Sequence, residues 1–171
     1  MRAPKSQRNR SKKGIHPRAD LLLRLQLESN PEALCLVRAV VQCAAGVVRF
    51  QESDSRAIVR SVDEALANVI RHAYKGRGDL PIALTCRRLW SGTDAATPCG
   101  LEVVVTDSGV SANPKKLQGR SLDDLRPGGL GLHFMKQSMD VVEFSRKNGK
   151  NLLRMVKYLA PSTPEEKPEG E

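Results

Sequence analysis

The sequence predicts an α+β domain of two layers, one mixed and mostly antiparallel sheet with helices on a single face. Two observations predict it. Apolar residues recur every three to four positions over two early segments and one late one, whereas five other short stretches alternate or are rich in β-branched residues. The resulting order, β-α-α-β-β-loop-α-β-β, carries no internal repeat and lacks the strict alternation of a parallel α/β sheet.

Residues 19–27 (ADLLLRLQL) are short, apolar and partly alternating, and read as a strand. Ser29-Asn30-Pro31-Glu32 is a helix start, with a capping side chain, proline in the first turn and then an acid. The helix continues through Leu34, Val37, Val40, Val41, Ala44 and Val48 to about Phe50. Ser53-Asp54 opens a second helix with the stripe Ile58, Val62, Ala65, Leu66, Val69, Ile70 and Ala73, ending near Tyr74 ahead of Gly76 and Gly78. Residues 82–88 alternate as a strand, and a polar turn leads to the β-branched strand 101–106, which runs into Asp107-Ser108-Gly109. Residues 110–127 read as a long loop of the kind that carries function. A helix follows from Gly128 to about Met139, then a hairpin of 141–146 and 152–159 turning at Asn148-Gly149.

The 171 residues suit one domain, expected over 20–159, with tails at 1–19 and 160–171. Charge separates the first tail from the rest: residues 1–19 hold seven Arg and Lys and no acid, leaving +2 of the net +9 for the other 152 residues. Such a tail is either a solvated disordered arm or a weak, phosphate-directed nucleic-acid contact, and it has no aromatic residue to stack on bases. The proline- and glutamate-rich end also reads as disordered. No apolar run approaches the roughly 20 residues of a membrane helix and no signal-peptide core follows the basic start, so the expected compartment is the cytoplasm. Four cysteines form no CxxC pair, which argues against zinc. Cys35 and Cys43 are expected to be buried; Cys86 and Cys99 could face each other across a hairpin, as free thiols.

Three groups of residues carry chemistry. Glu64, Asn68 and His72 are spaced by four and share one helix face beside the apolar stripe. A carboxylate there can take a proton from a hydroxyl, and an amide oxygen one turn on can hold Mg²⁺; a solvated polar face would look the same. Asp107, at a strand end before Gly109, can accept a hydrogen bond from an exocyclic amine or simply make a turn. Gly128-Gly129-Leu130-Gly131 precedes an apolar helix, where bare N–H groups can bind phosphate or a linker can flex. The GxxxxGK[ST] phosphate loop is absent.

Taken in order, residues 62–74 (VDEALANVIRHAY), 103–109 (VVVTDSG) and 128–142 (GGLGLHFMKQSMDVV) resemble the asparagine box and the two glycine boxes of the histidine-kinase-like ATPases. The resemblance is greatest to the anti-sigma serine/threonine kinases, which share the Glu-x-x-x-Asn-x-x-x-His-Ala-Tyr form of Glu64–Tyr74 and the Met-Asp pair matched by Met139-Asp140. It extends over roughly 20–159. It implies a Bergerat-type fold with ATP and Mg²⁺ bound beneath a lid at 110–127. Glu64 resembles the general base and Asn68 the Mg²⁺ ligand; Asp107, with Gly109 beside it, resembles the adenine reader. Gly128, Gly129 and Gly131 would meet phosphates, Arg120 or Arg126 could reach the γ-phosphate, and His72 would be structural. The chain departs from the family where a Gly-Thr pair is usual on the last hairpin. Lys150-Asn151 follow Gly149 here, which predicts one polar contact fewer beside the nucleotide.

The implied function is that of an ATP-dependent anti-sigma factor. It would sequester a sigma factor, phosphorylate a STAS-type anti-anti-sigma protein on Ser or Thr, and share the family's homodimeric habit. The alternative is a catalytically silent module of the same fold, sequestering a regulator with ATP as a structural ligand or with none.

Overall fold

The computed structural model describes residues 18–91, 97–111 and 130–160. The expectations for tail residues 1–17 and 161–171, for most of the 110–127 loop, and for Arg120, Arg126, Gly128 and Gly129 fall outside those residues, whereas Arg18 and Ala19, expected in the tail, begin the first strand.

Five strands and three helices appear in the expected order: β1 (Arg18–Glu28), α1 (Leu34–Val48), α2 (Glu52–Asn68), β2 (Pro81–Trp90), β3 (Pro98–Asp107), α3 (Leu130–Ser138), β4 (Val141–Lys147) and β5 (Lys150–Tyr158). They form one sheet of order β1-β2-β3-β5-β4, every pairing antiparallel. A 3₁₀ turn at Pro31–Ala33 leads into α1, where the Asn30 side chain accepts the Glu32 N–H at 3.0 Å. Asn148 and Gly149, both at positive φ, close the β4–β5 hairpin as the Asn-Gly pair predicts.

The core lies between the sheet and the helices. Ile58 and Leu66 of α2 and Met135 of α3 meet Ile82, Leu84, Leu101, Val103 and Met155 of the sheet, all fully buried. Across the sheet's other face runs a ladder of charge: Arg87 and Arg154 both bond to the buried Glu102, at 2.9 and 2.6 Å, and Arg154 continues to Glu143 at 3.0 Å.

α1 is apolar nearly all round. Leu34, Val37, Val41, Ala44, Ala45 and Val48 face the core. Leu36 and Val47 point outward, 68% and 55% exposed, and Val40, Cys43 and Val47 line an apolar groove of about 300 Å³ with Leu22 and Leu23 of β1. Pro31–Val48 is long and apolar enough to cross a membrane by composition, but its inner face is packed as a core helix. This double-sided helix corrects the expectation for Cys35 and Cys43. Both are exposed, because six other residues at helical spacing already fill the inner stripe. Cys86 does not face Cys99: its register partner on β3 is Val103, and burial pushes its thiol up to about 12.

Candidate active site

The site is assembled along α2. Near Glu64 the helix meets the start of α3, and at its C-terminal end it meets the loop that follows β3. Between these points α2 loosens into a π-helical turn, Val69–Ala73, in which the Tyr74 N–H bonds to Val69 O at 2.9 Å. Such turns are rare and frequently mark functional sites.

At the first contact Gly131 abuts Glu64. A Cβ built on Gly131 would fall 2.0 Å from Glu64 Oε1, so the catalytic-base candidate occupies the place of a side chain in the first turn of α3. That is where the free N–H groups of a helix favour negative charge. Arg71 Nη2 lies 3.5 Å from the same oxygen, and its Nε donates to Ala67 O at 3.2 Å. Asn68 stands one turn beyond Glu64 with its side chain partly exposed. His72 lies on the π turn and is exposed, so it packs no core.

At the other contact Asp107 ends β3 and is only 7% exposed. Its Oδ1 accepts the Gly109 N–H at 2.8 Å, making a tight Asx turn. A Cβ on Gly109 would fall 2.6 Å from Ala73 O, so glycine is what lets this loop lie flat on the end of α2. The Val110 N–H donates to that carbonyl at 3.0 Å. Tyr74 fastens the junction: its hydroxyl accepts the Ser108 N–H at 3.0 Å and donates to Pro81 O at 2.5 Å. Burial, the largest influence, raises this hydroxyl above the ordinary tyrosine range, so it stays a donor at neutral pH.

The structure therefore brings together Glu64 with Gly131, and Asp107 with Gly109, with Asn68 on the helix that joins the two groups. Three residues escaped sequence reasoning. Tyr74 was read only as a helix end and a motif letter. Asn151 and Arg146 reach the site from the hairpin: Asn151 Nδ2 donates to Asp107 Oδ1 at 2.8 Å, and Arg146 Nη1 to Asn151 Oδ1 at 2.5 Å. Where a Gly-Thr pair is usual, Asn151 instead makes a polar contact to Asp107 itself. The Asn148-Gly149 turn was a signal for the Arg146–Asn151 pairing, because a two-residue turn fixes hairpin register.

The donor set suits a nucleotide with Mg²⁺. Glu64 and Asn68 offer hard oxygen donors, and Asp107 offers a buried acceptor whose Oδ2 takes no hydrogen bond among the described residues. At Gly109 and Gly131 the missing side chain lets Ala73 and Glu64 of the α2 region lie directly against the backbone.

Comparison with known proteins agrees. Residues 27–157 match the histidine kinase-like ATPase domain. The chain is 27% identical over 146 residues to the serine-protein kinase RsbW of Bacillus pumilus, covering 81% of this chain and 86% of that protein. It is 31% identical over 105 residues to the serine/threonine-protein kinase BtrW of Bordetella bronchiseptica, covering 59% and 68% of the two chains. In fold it is similar to the RsbU and RsbW domains of Rv1364c from Mycobacterium tuberculosis, with a TM-score of 0.54, 16% identity and 81% of this chain covered; it spans 33% of that longer chain. The chain belongs to the histidine kinase-like ATPase domain family, in its group of anti-sigma serine/threonine kinases.

Proposed function

We propose that this protein is a cytoplasmic partner-switching kinase that sequesters a sigma factor and phosphorylates a STAS-type anti-anti-sigma protein on serine or threonine. The observation that carries this is the placement of the Glu64 carboxylate in the first turn of α3, against Gly131 and one turn from Asn68. A base at that point is next to the anion-favouring end of a helix, where the transferable phosphate of a nucleotide would sit.

The residues divide the work. Asp107 would read the adenine amine from its buried position, and Gly109 keeps the loop that follows it packed on the end of α2. The backbone at Gly131 would meet the phosphates, the role the resemblance also implies for Gly128 and Gly129. Asn68 would hold Mg²⁺, which supplies charge neutralisation between phosphates when bound. Glu64 takes the proton of the partner's hydroxyl as that oxygen bonds to the γ-phosphorus. The bond from phosphorus to the bridging oxygen breaks, and ADP leaves with its electron pair. General-base help of this kind contributes about 10²–10⁴-fold. The product carries new negative charge on the partner's docking surface, which weakens an apolar or acidic interface and frees the partner.

Glu64→Ala tests the assignment. Transfer of label from ATP to the anti-anti-sigma partner should vanish while complex formation persists; retained transfer would sink it. The silent-module alternative draws on the lid segment 110–127, most of which lies outside the described residues; complex formation by the wild type without label transfer would favour it.

The outward stripe of α1 supports self-association. Leu36 and Val47 on this stripe are 68% and 55% exposed, and two copies would bury them against each other. Leu36→Glu should then halve the mass seen by sedimentation, and an unchanged mass would exclude this face.

A further inference from the structure

Two side chains of the β4–β5 hairpin remain without a role in the account above. Asp107, Asn151 and Arg146 are direct register partners across three adjacent strands, Asp107 opposite Asn151 and Asn151 opposite Arg146. Their side chains form a chain of hydrogen bonds in that order. Arg146 Nη1 donates to Asn151 Oδ1 at 2.5 Å, and Asn151 Nδ2 donates to Asp107 Oδ1 at 2.8 Å. The same Nδ2 lies 3.2 Å from Gly109 O and 3.5 Å from Val110 O, and Arg146 Nη1 lies 3.3 Å from Gly109 O.

Chemistry fixes the direction of this chain. Guanidinium has only donors, and a carboxylate oxygen and two carbonyl oxygens are acceptors. The amide between them must therefore turn its oxygen to Arg146 and its NH₂ to Asp107 and the loop. A flipped amide would set oxygen against three acceptor oxygens and nitrogen against a cation. Asp107 Oδ1 then holds two donors, the Gly109 N–H and Asn151 Nδ2, both at 2.8 Å. Oδ2 is left as the acceptor within a residue that is 7% exposed.

We propose that Asn151 is a positioning residue for base selection, and that Arg146 is the lock on its amide. Asn151 saturates one oxygen of Asp107 and so presents the other, as a fixed acceptor, to the 6-amino group of a purine. A 6-oxo purine would place acceptor against acceptor there, so the arrangement selects amino over oxo. This role presupposes that Asp107 reads the base. Without Asn151 the carboxylate loses its second donor on Oδ1 and can turn, and the amino group's advantage falls.

The test is calorimetry on the full chain with Mg²⁺ and two nucleotides, ATP and purine riboside triphosphate, which has hydrogen in place of the 6-amino group. Wild type should prefer ATP by about tenfold or more, the worth of a hydrogen bond to a charged acceptor. Asn151→Ala should weaken ATP by about tenfold and leave purine riboside triphosphate within about twofold, which also shows that the variant is folded. Asn151→Thr, which keeps a donor, should retain most of the preference, and Arg146→Ala should lose part of it. Equal weakening of both nucleotides by Asn151→Ala would show that Asn151 merely braces the loop, and no weakening of either would remove it from the site; each overturns the proposal. A wild type that binds both nucleotides equally would instead refute the reading of Asp107, and the role of Asn151 with it.

Discussion

Gly131→Ala is expected to separate stability from catalysis. The new Cβ would lie 2.0 Å from Glu64 Oε1, 2.1 Å from its carboxyl carbon and 2.4 Å from its Cγ. Ordinary contact begins at 3.4 Å, so the carboxyl group must retreat by about 1.4 Å. It can do so at modest energetic cost, because it is the partly exposed end of a flexible side chain and Arg71 can follow it. Alanine is also the better helix former, by up to about 1 kcal/mol over glycine. Thermal stability should therefore hold or rise by a few degrees. The base, however, is displaced by more than the 1 Å that costs about 10²-fold in a positioned reaction. ATP affinity, measured by calorimetry, should change far less than the rate of label transfer to the protein partner. Transfer within about threefold of wild type, in a variant of unchanged melting temperature, would refute the assignment of Glu64 to this position.

Other expectations follow from the same contacts. Gly109→Ala meets backbone rather than a movable side chain, with Ala73 O and C at 2.6 and 2.7 Å, so it should cost about 1–3 kcal/mol in denaturant unfolding as well as ATP binding. Tyr74→Phe leaves the Ser108 N–H and Pro81 O without their partner and should cost about 1–2 kcal/mol by the same assay. Glu102 gives a pH dependence. Burial alone would raise its carboxyl, but the bonds from Arg154 and Arg87 outweigh that and hold it below its ordinary value of 4.5. Its stabilising share is then complete above about pH 4.5 and is lost as pH falls through the depressed folded value. Glu102→Gln should destabilise by about 1–2 kcal/mol at pH 7, a figure kept low because both arginines are 35% exposed, and the gap should close as pH falls through the depressed folded value.

Much of the fold was legible in local pattern. The β-branched run at 101–106, the Asn-Gly turn and the capped start at Asn30 each specify their element through short-range chemistry. The boundaries shifted outward where pairing extends strands beyond their apolar centres, as at Pro98 and Lys147. Three features were not legible. The cysteines of α1 were misplaced because a helix apolar on both sides carries no sign of which stripe is the inner one. Asn151 was missed because its role depends on β5 pairing with β3, a contact between residues 44 apart in sequence that no local period encodes. Glu64, Asn68 and Asp107, the proposed site residues, were visible in the spacing and motifs of the sequence. Nor, for the same reason as Asn151, could the sequence show that Gly131 lies against Glu64.

The central claim is that Asp107 and the α2 face form a nucleotide site, and titration of Mg-ATP into the full chain, beside Asp107→Ala, tests it most directly. Saturable binding by the wild type, weakened at least tenfold in the variant, is the result predicted. No binding by the wild type at millimolar ATP, or equal binding by both proteins, would contradict it.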